Sequence, residues 1–255
     1  MIYRSFLTVL FPLLIIILSV ASAMPEIAGH AKAEARSGNS KAQYELARMY
    51  FEGIEVPQNL EKAIEWLNKS ADQDEPFAKF TLGTLYLRGE GVAQSDEKGL
   101  ALIQAAAEED IAPAQAFMAY VYGKGAGVEQ DPQKFLFWVE KAAKNGDAAS
   151  QFNVGILYLT GQLVDKNADE ARYWLTKSAN QGYIEAQMAL GEVLMSGIGA
   201  EPDLINACKW FAIAGAQGNP KATYMIGELE KVMSREDMME AARLANQWFE
   251  ERLGG

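Results

Sequence analysis

Apolar, small and polar residues recur along the chain at a fixed spacing of 36 residues. Each copy is anchored on a small residue. In most copies it is followed by a second small residue after five positions, an aromatic residue after eight and a glycine after eleven. We number positions from the anchor, so that +8 means eight residues after it. A fixed period between 20 and 50 residues is typical of repeat proteins, so the pattern predicts a repeat array. The anchors are Ala42, Ala78, Ala114, Ser150, Ala186 and Ala222.

Within each copy the pattern predicts two helices joined by a glycine-containing turn. The first helix runs from about Lys41 to about Glu52 in the first copy. A Gly-x-Gly-Val turn follows, clearest in Gly89-Glu90-Gly91-Val92, because glycine readily adopts the left-handed backbone that ends a helix. The second helix begins after a polar residue at +17, and all five such residues are strong helix N-caps. They are Asn59, Ser95, Asp131, Asn167 and Asp203.

Helix pairs of this kind bury their apolar faces only by stacking on one another. The sequence therefore predicts an all-α fold, a right-handed superhelical α-solenoid of antiparallel helix pairs. Five full copies occupy residues 39–217, and residues 218–255 are predicted to form a partial sixth copy and a C-terminal capping helix. Copy four carries Leu163 where the second turn glycine belongs, which puts the geometry of that turn in question.

The first 23 residues predict a signal peptide for export. Arg4 makes the N-terminus positive, residues 5–20 are almost continuously apolar, and Ala21-Ser22-Ala23 is a small-x-small cleavage pattern. The apolar stretch is about 15 residues long, shorter than the roughly 20 that span a membrane as a helix. We therefore expect cleavage after Ala23 rather than anchoring, and a periplasmic or secreted mature chain without a membrane span. Residues 24–38 are expected to form a short alanine-rich lead-in.

The composition narrows the range of functions. The chain has 23 basic and 34 acidic residues, which argues against nucleic-acid binding because that requires clustered Lys and Arg. One histidine, His30, and one cysteine, Cys208, are too few for a multi-ligand His/Cys metal site or an intrachain disulfide. We expect no cofactor, no metal and no catalytic centre.

Three local patterns resemble chemical motifs but fit the repeat better. Ser95-Asp96-Glu97-Lys98 matches the Ser-x-x-Lys nucleophile motif, yet it lacks the partner segments, and Ser95 stands at the N-cap position. The segment Gly123-Lys124-Gly125-Ala126-Gly127 resembles a phosphate-binding loop, but a helix precedes it and the same turn recurs in other copies. His30 is expected to be solvated, Cys208 to be a small buried residue, and the tryptophans at +24 to pack in the core.

The copies resemble the Sel-one-like repeat, a relative of the tetratricopeptide repeat with a longer turn. The first-helix half of its pattern is matched in Ala78…Leu82-Gly83…Tyr86…Gly89-Glu90-Gly91-Val92, and the second-helix half in Lys62-Ala63…Trp66…Lys69-Ser70-Ala71. The resemblance covers all five copies, with departures at Leu163, Leu194 and Ala200. It implies an adaptor in bacterial envelope complexes, signalling or host contact.

The resemblance also implies where a partner binds. By analogy with tetratricopeptide repeats, the first helices line a concave groove through positions +2, +6, +9 and +10. Charged residues there change from Arg early in the chain to Glu late, which could orient a partner. The alternative is that the +2 aromatic residues pack between adjacent copies, and the sequence leaves both open. The candidate partner-binding residues are Tyr44, Phe80, Tyr120, Phe152, Ile156, Met188, Tyr224, Arg48, Arg88 and Glu192.

We therefore expect an exported bacterial repeat protein that acts as a non-catalytic protein–protein interaction scaffold and holds a protein or peptide in its groove. One alternative is a secreted factor that binds a host protein. A second, less favoured, is a hydrolase of cell-wall or β-lactam substrates, for which the sequence shows no convergent acid, base and nucleophile. The sequence names neither the partner nor the oligomeric state.

Overall fold

The computed structural model describes residues 24–253, and this part of the chain is all helical, as predicted. None of the helices in this range is long and apolar enough to cross a membrane. The predicted signal peptide, residues 1–23, lies outside the described residues. The helices are α1 (Met24–Arg36), α2 (Ser40–Glu52), α3 (Leu60–Ala71), α4 (Pro76–Arg88), α5 (Asp96–Glu108), α6 (Ala112–Lys124), α7 (Pro132–Lys144), α8 (Ala148–Thr160), α9 (Ala168–Asn180), α10 (Ile184–Ser196), α11 (Leu204–Ala216), α12 (Pro220–Leu229) and α13 (Arg235–Leu253).

The helices form two compact units, which divide between Phe135 and Leu136, within α7. In the first unit, α2 packs on α3 and α4 on α5, and each pair contacts the helix that follows it. In the second unit, α8 packs on α9 and α10 on α11, while α12 and α13 both pack on α11. The predicted helix pairs are therefore present, with the first helix of each copy carrying an even number.

Polar caps start the second helices where the sequence predicted them. The side chain of Asn59 accepts a hydrogen bond from the backbone N–H of Lys62, and Ser95 accepts one from Lys98. Asp131, Asn167 and Asp203 make the equivalent bonds at α7, α9 and α11. All five predicted N-caps are confirmed, because each satisfies an N–H that the helix itself leaves unpaired.

The turn after each first helix keeps one backbone path even where its glycine is replaced. Gly91 has a φ of 70°, and a Cβ there would lie 2.4 Å from Cδ1 of Ile64 in the preceding copy. Glu55 stands at the equivalent position of copy one with a φ of 60°, and Leu163 at that of copy four with a φ of 64°. A left-handed backbone costs a bulky L-residue roughly 1–2 kcal/mol. The turn of copy four therefore keeps the usual backbone conformation, but Leu163 is strained in it.

The lead-in expected over residues 24–38 contains helix α1, which packs on α2. Ala35 on α1 is buried and lies 36 residues before Ala71, at position +29 of the pattern. The side-chain amide of Gln43 donates to the Ala35 carbonyl at 3.1 Å, and Gln151 donates likewise to Ala143 at 3.0 Å. The contact of α1 with α2 therefore resembles the contact of a second helix with the copy that follows it.

Buried glutamines at +1 connect successive copies. Gln43, Gln115, Gln151 and Gln187 are each at most 5% exposed, and each donates to a backbone carbonyl at the end of the preceding second helix. Three of them also accept a bond from a glutamine at +31, over 2.7 Å from Gln73, 2.7 Å from Gln181 and 2.9 Å from Gln217. Buried amides that are satisfied in this way fix the register of the stacked helices.

The last helix covers the end of the second unit. Ser234 accepts a bond from the N–H of Asp237 at 3.1 Å and so caps the start of α13. Trp248 meets Trp210 of α11 edge to face at 6.3 Å between ring centroids. The Arg252 guanidinium lies over the Trp248 ring and donates to the carbonyl of Asn180. These contacts anchor α13 across α11 and the end of α9.

We predict that Gln151→Ala lowers the free energy of unfolding by about 2 kcal/mol, because it removes two hydrogen bonds worth about 1 kcal/mol each from a buried site. Urea denaturation monitored by circular dichroism measures the change. Gln247→Ala is the matched control, since Gln247 is exposed and bonds to Glu251 on the surface of α13; we expect a change within about 0.5 kcal/mol. Equal losses in the two variants would contradict a special role of the buried glutamines.

Candidate functional site

Most of the +2 residues predicted to line the groove are at least half-buried, and two of them contact an aromatic residue at or just before the next first helix. Tyr44 stacks on Phe77 of α4 at 5.9 Å, and Phe152 lies 5.5 Å from Tyr183, which precedes α10. Met188 is buried, 7% exposed, in the apolar cluster that also contains Phe211. Phe80 is half-buried.

Tyr224 is the exception at +2, since it is 65% exposed on α12. No further repeat follows α12 in the described residues, because the next helix, α13, packs on α11. The contrast between Tyr224 and the covered residues Tyr44 and Phe152 supports the packing alternative for this position. Burial raises the pKa of Tyr44 and of Tyr183, so both hydroxyls are protonated at neutral pH.

Position +9 is used within each helix pair. Leu87 is 1% exposed, and a Cβ on Gly99 of α5 would lie 2.6 Å from Cδ2 of Leu87. Gly123 lies close to Phe135, with 3.0 Å between its hypothetical Cβ and Cδ2 of the ring. The two helices of a pair approach through this position, so its side chains are largely unavailable to a partner.

Positions +6 and +10 of the first helices keep accessible surface, and we call them the first-helix row. In the first unit the row includes Arg48, Tyr120 and Arg88, of which Arg48 and Arg88 are exposed and Tyr120 is half-buried beside Phe117. In the second unit it includes Ile156 and Glu192, both half-buried. Ile156 rests on the apolar cluster of α9, α10 and α11. Of the four predicted positions, these two are the ones least used for packing.

The charged residues of the row have counterions within the chain. Arg48 lies 3.2 Å from Glu45 and 3.7 Å from Glu52, and Arg88 lies 3.6 Å from Glu90. The carboxylate of Glu192 accepts a bond from the ammonium of Lys221 in the next copy at 2.6 Å. Exposed pairs of this kind are worth about 0–1 kcal/mol, so they can exchange partners. The predicted change from positive to negative charge along the first helices is thus partly neutralised by neighbouring charged residues.

The motifs that resembled chemical sites have structural roles. Ser95 accepts its capping bond from the Lys98 N–H, while the Lys98 ammonium lies over the Tyr86 ring, 5.6 Å from its centroid. The glycine-rich segment after Tyr122 is the turn that ends α6 at Gly125. His30 is largely exposed, with 3.8 Å between its Nδ1 and a carboxylate oxygen of Glu34. Among the described residues, no three His, Cys, Asp or Glu side chains cluster as they would to hold a metal ion.

A second set of contacts, which the sequence reasoning missed, connects the first helix to the second helix in three copies. The lysine at +20 lies over the tyrosine at +8 in three copies, at 5.4 Å for Lys62 on Tyr50, 5.6 Å for Lys98 on Tyr86 and 4.9 Å for Lys134 on Tyr122. The signal was present in the sequence, because a lysine recurs twelve residues after the tyrosine. Such cation–π contacts contribute about 0.5–1 kcal/mol at exposed sites.

These observations define the class of protein. The chain is an α-helical repeat protein whose buried positions are used for packing and whose first-helix row remains accessible. A family model for the Sel1 repeat matches residues 40–75, 76–111, 112–147, 148–183 and 184–219. The chain therefore belongs to the Sel1 repeat family, whose members are generally protein-interaction scaffolds.

Similar proteins agree with this assignment. The structure of a Sel1 repeat protein from Oxalobacter formigenes is 27% identical with a TM-score of 0.68, over 88% of this chain and 99% of that one. A protective antigen present in uropathogenic Escherichia coli strains is 29% identical with a TM-score of 0.61, over 89% of this chain and 56% of that one. A sel1-like repeat-containing protein of Acanthamoeba polyphaga mimivirus is 48% identical over 46 residues, 18% of this chain and 8% of that protein. The chain thus spans little more than half of the antigen and a small part of the viral protein.

Cys208 is predicted to be unreactive while the chain is folded. It is 3% exposed, its Sγ lies 3.8 Å from Sδ of Met238, and burial, with a smaller contribution from Glu230, raises the pKa of its thiol. Thiolate is the reactive species, so modification by a disulfide reagent at pH 8 should be at least about a hundred-fold slower in the folded than in the urea-unfolded chain.

The raised pKa of Cys208 also affects stability at alkaline pH. The unfolded thiol ionises near pH 8.5 while the folded one stays protonated, so the free energy of unfolding should fall as pH rises above about 8.5. Comparison with Cys208→Ala isolates this contribution, because that variant lacks the group. An identical pH dependence in the two proteins would contradict it.

Proposed function

We propose that this protein is an exported, non-catalytic scaffold that binds a protein or peptide partner along the first-helix row. The observation that carries the proposal is the division of the first helices. Met188 at +2 and Leu87 at +9 are buried, whereas Arg48 and Arg88 of the row are exposed and Tyr120 and Ile156 are half-buried with part of their surface accessible. A half-buried aromatic or aliphatic residue with exposed ion pairs around it is the composition of a protein-docking surface.

A binding role is favoured over catalysis by the state of the polar side chains. A nucleophile needs an adjacent base that is itself oriented by a third group. Ser95 is engaged as a helix cap, and the buried glutamines are engaged with each other and with backbone carbonyls. The chemistry of these groups is thus used for folding, which supports a scaffold.

Export rests on the sequence of residues 1–23. Expression of the full chain in a bacterial host should give a periplasmic protein whose intact mass begins at Met24. Cleavage after Ala23 removes none of the described residues. A full-length mass in the membrane fraction would overturn cleavage and favour anchoring.

The docking surface is tested by cross-linking and pulldown from the envelope fraction with tagged residues 24–255. We expect a partner to be retained by the parent and reduced at least ten-fold with Tyr120→Ala combined with Ile156→Ser. Serine is chosen because Ile156 is half-buried and a charge there would disturb the cluster beneath it. Circular dichroism and thermal unfolding confirm that the variant is folded.

The matched control is Tyr173→Ala, which removes an aromatic residue that is 50% exposed on the second helix α9. We expect the control to retain the partner. Loss with Tyr173→Ala and retention with the row variant would place the site on the second helices and overturn the proposal.

A secreted factor that binds a host protein is a second candidate. The similarity to a protein described as a protective antigen of uropathogenic Escherichia coli supports it. Recovery of the protein from culture supernatant, with retention of a host protein but no envelope protein, would favour this candidate over an envelope scaffold.

A further inference from the structure

The turn of copy four, residues 161–167 between α8 and α9, differs from the other turns in the contact made by its tyrosine. Tyr158 stands at +8, the position at which Tyr50, Tyr86 and Tyr122 each carry a lysine ammonium over the ring. The residue at +20 in copy four is Glu170. Among residues 24–253, no lysine or arginine lies over the ring of Tyr158. Copy four therefore keeps the aromatic ring of the pattern and has lost its internal cation.

The same turn exposes an apolar side chain on a strained backbone. Leu163 is 43% exposed and has a φ of 64°, where Gly91, Gly127 and Gly199 occupy the equivalent position and copy one has Glu55, with a φ of 60°. A bulky residue in this conformation costs stability, and Leu163 keeps a large part of its apolar surface exposed. A residue that is strained, exposed and beside an uncovered aromatic ring is a marker of binding rather than of packing.

Tyr158 and Leu163 line one surface depression of about 700 Å³, together with Asp165, Lys166 and Asn167. The volume is several times that of a single long side chain. Gly161 and Val164 form the remainder of its wall. The depression lies entirely within the second compact unit, so its shape is set by α8, α9 and the turn between them.

Negative charge surrounds the ring. Glu140 and Glu170 both act on the Tyr158 hydroxyl and, after burial, contribute to raising its pKa. Asp165 adds a third carboxylate in the depression. Lys166 also lines the depression, and Lys144 lies 3.7 Å from Glu140. The balance is acidic and therefore favours an incoming cation.

We propose that the turn of copy four binds a lysine side chain of a partner protein, with the ammonium over the Tyr158 ring and its methylene stem against Leu163. The incoming lysine replaces the internal lysine that the other copies place on this ring. This proposal rests on the proposed function, because it assumes that the ligand is a protein. It adds a second binding contact, on the turn of copy four, to the contact proposed for the first-helix row.

The test is an NMR titration of isotope-labelled residues 24–255 with two short capped peptides, acetyl-Leu-Lys-Leu-amide and acetyl-Leu-norleucine-Leu-amide. The lysine peptide is expected to shift amide signals of residues 158–170, and the norleucine peptide, which lacks the charge, to leave them unchanged. Tyr158→Leu should weaken binding of the lysine peptide about five-fold, the factor that about 1 kcal/mol of cation–π energy gives. Tyr122→Leu is the matched control, because that ring already carries Lys134, and it should leave the affinity unchanged.

Three further variants separate binding from folding. Glu170→Lys restores the internal lysine and should abolish binding, whereas Glu97→Lys, an exposed site on α5 with the same change of charge, should reduce it only slightly. Leu163→Gly should raise the melting temperature while weakening binding about three-fold, since it relieves the left-handed strain and removes the apolar contact.

Equal affinity for the two peptides, or full binding by Glu170→Lys, would overturn the lysine site. So would amide shifts confined to residues outside 158–170. The titration uses the isolated protein and a synthetic peptide. If the lysine peptide does not bind, the proposed role of the first-helix row is therefore unaffected. If the pulldown finds no partner, the proposed lysine site is unaffected.

Discussion

Close approach between the two helices of a pair is the constraint on which the rest of this structure depends. A Cβ on Gly83, Gly155 or Gly191 at +5 would lie 2.5–2.8 Å from the large side chain at +25 of its own pair, which is Ile103, Leu175 or Phe211. That distance is shorter than any relaxed contact, so a larger residue would force the helices apart. The small positions thus set the helix spacing, and the spacing brings the buried glutamines within hydrogen-bond range of the preceding copy.

This use of surface for packing limits where function can reside. The +2 and +9 side chains hold copies and helix pairs together, and the tryptophans at +24 are largely buried. Accessible, non-structural groups remain on the first-helix row and on the turns. The turn of copy four combines an uncovered ring with an exposed leucine, at a backbone cost that the neighbouring turns avoid with glycine. The two proposed surfaces are parts of the repeat that keep accessible side chains besides those used in packing.

Local signals made much of the fold predictable. The N-caps at Asn59 and Asp203 and the turn glycines act through their own backbone and the next few residues, so they can be read directly from the sequence. Helix α1 was not predicted, because it carries only the small positions of the repeat, such as Ala35, and no tyrosine or turn glycine. The glutamine contacts were not predicted either, because a hydrogen bond between residues 30 positions apart leaves no local pattern in the sequence.

The sequence by itself determined the helix pairs, their period of 36 residues, their caps and the membership of a helical repeat class. The tertiary structure decided which side chains each helix leaves accessible. Tyr44 and Tyr224 occupy the same position in the repeat, yet one is covered by the next copy and the other is 65% exposed. Exposure depends on what stacks against a residue, and periodicity alone carries no information about the neighbour at the end of an array.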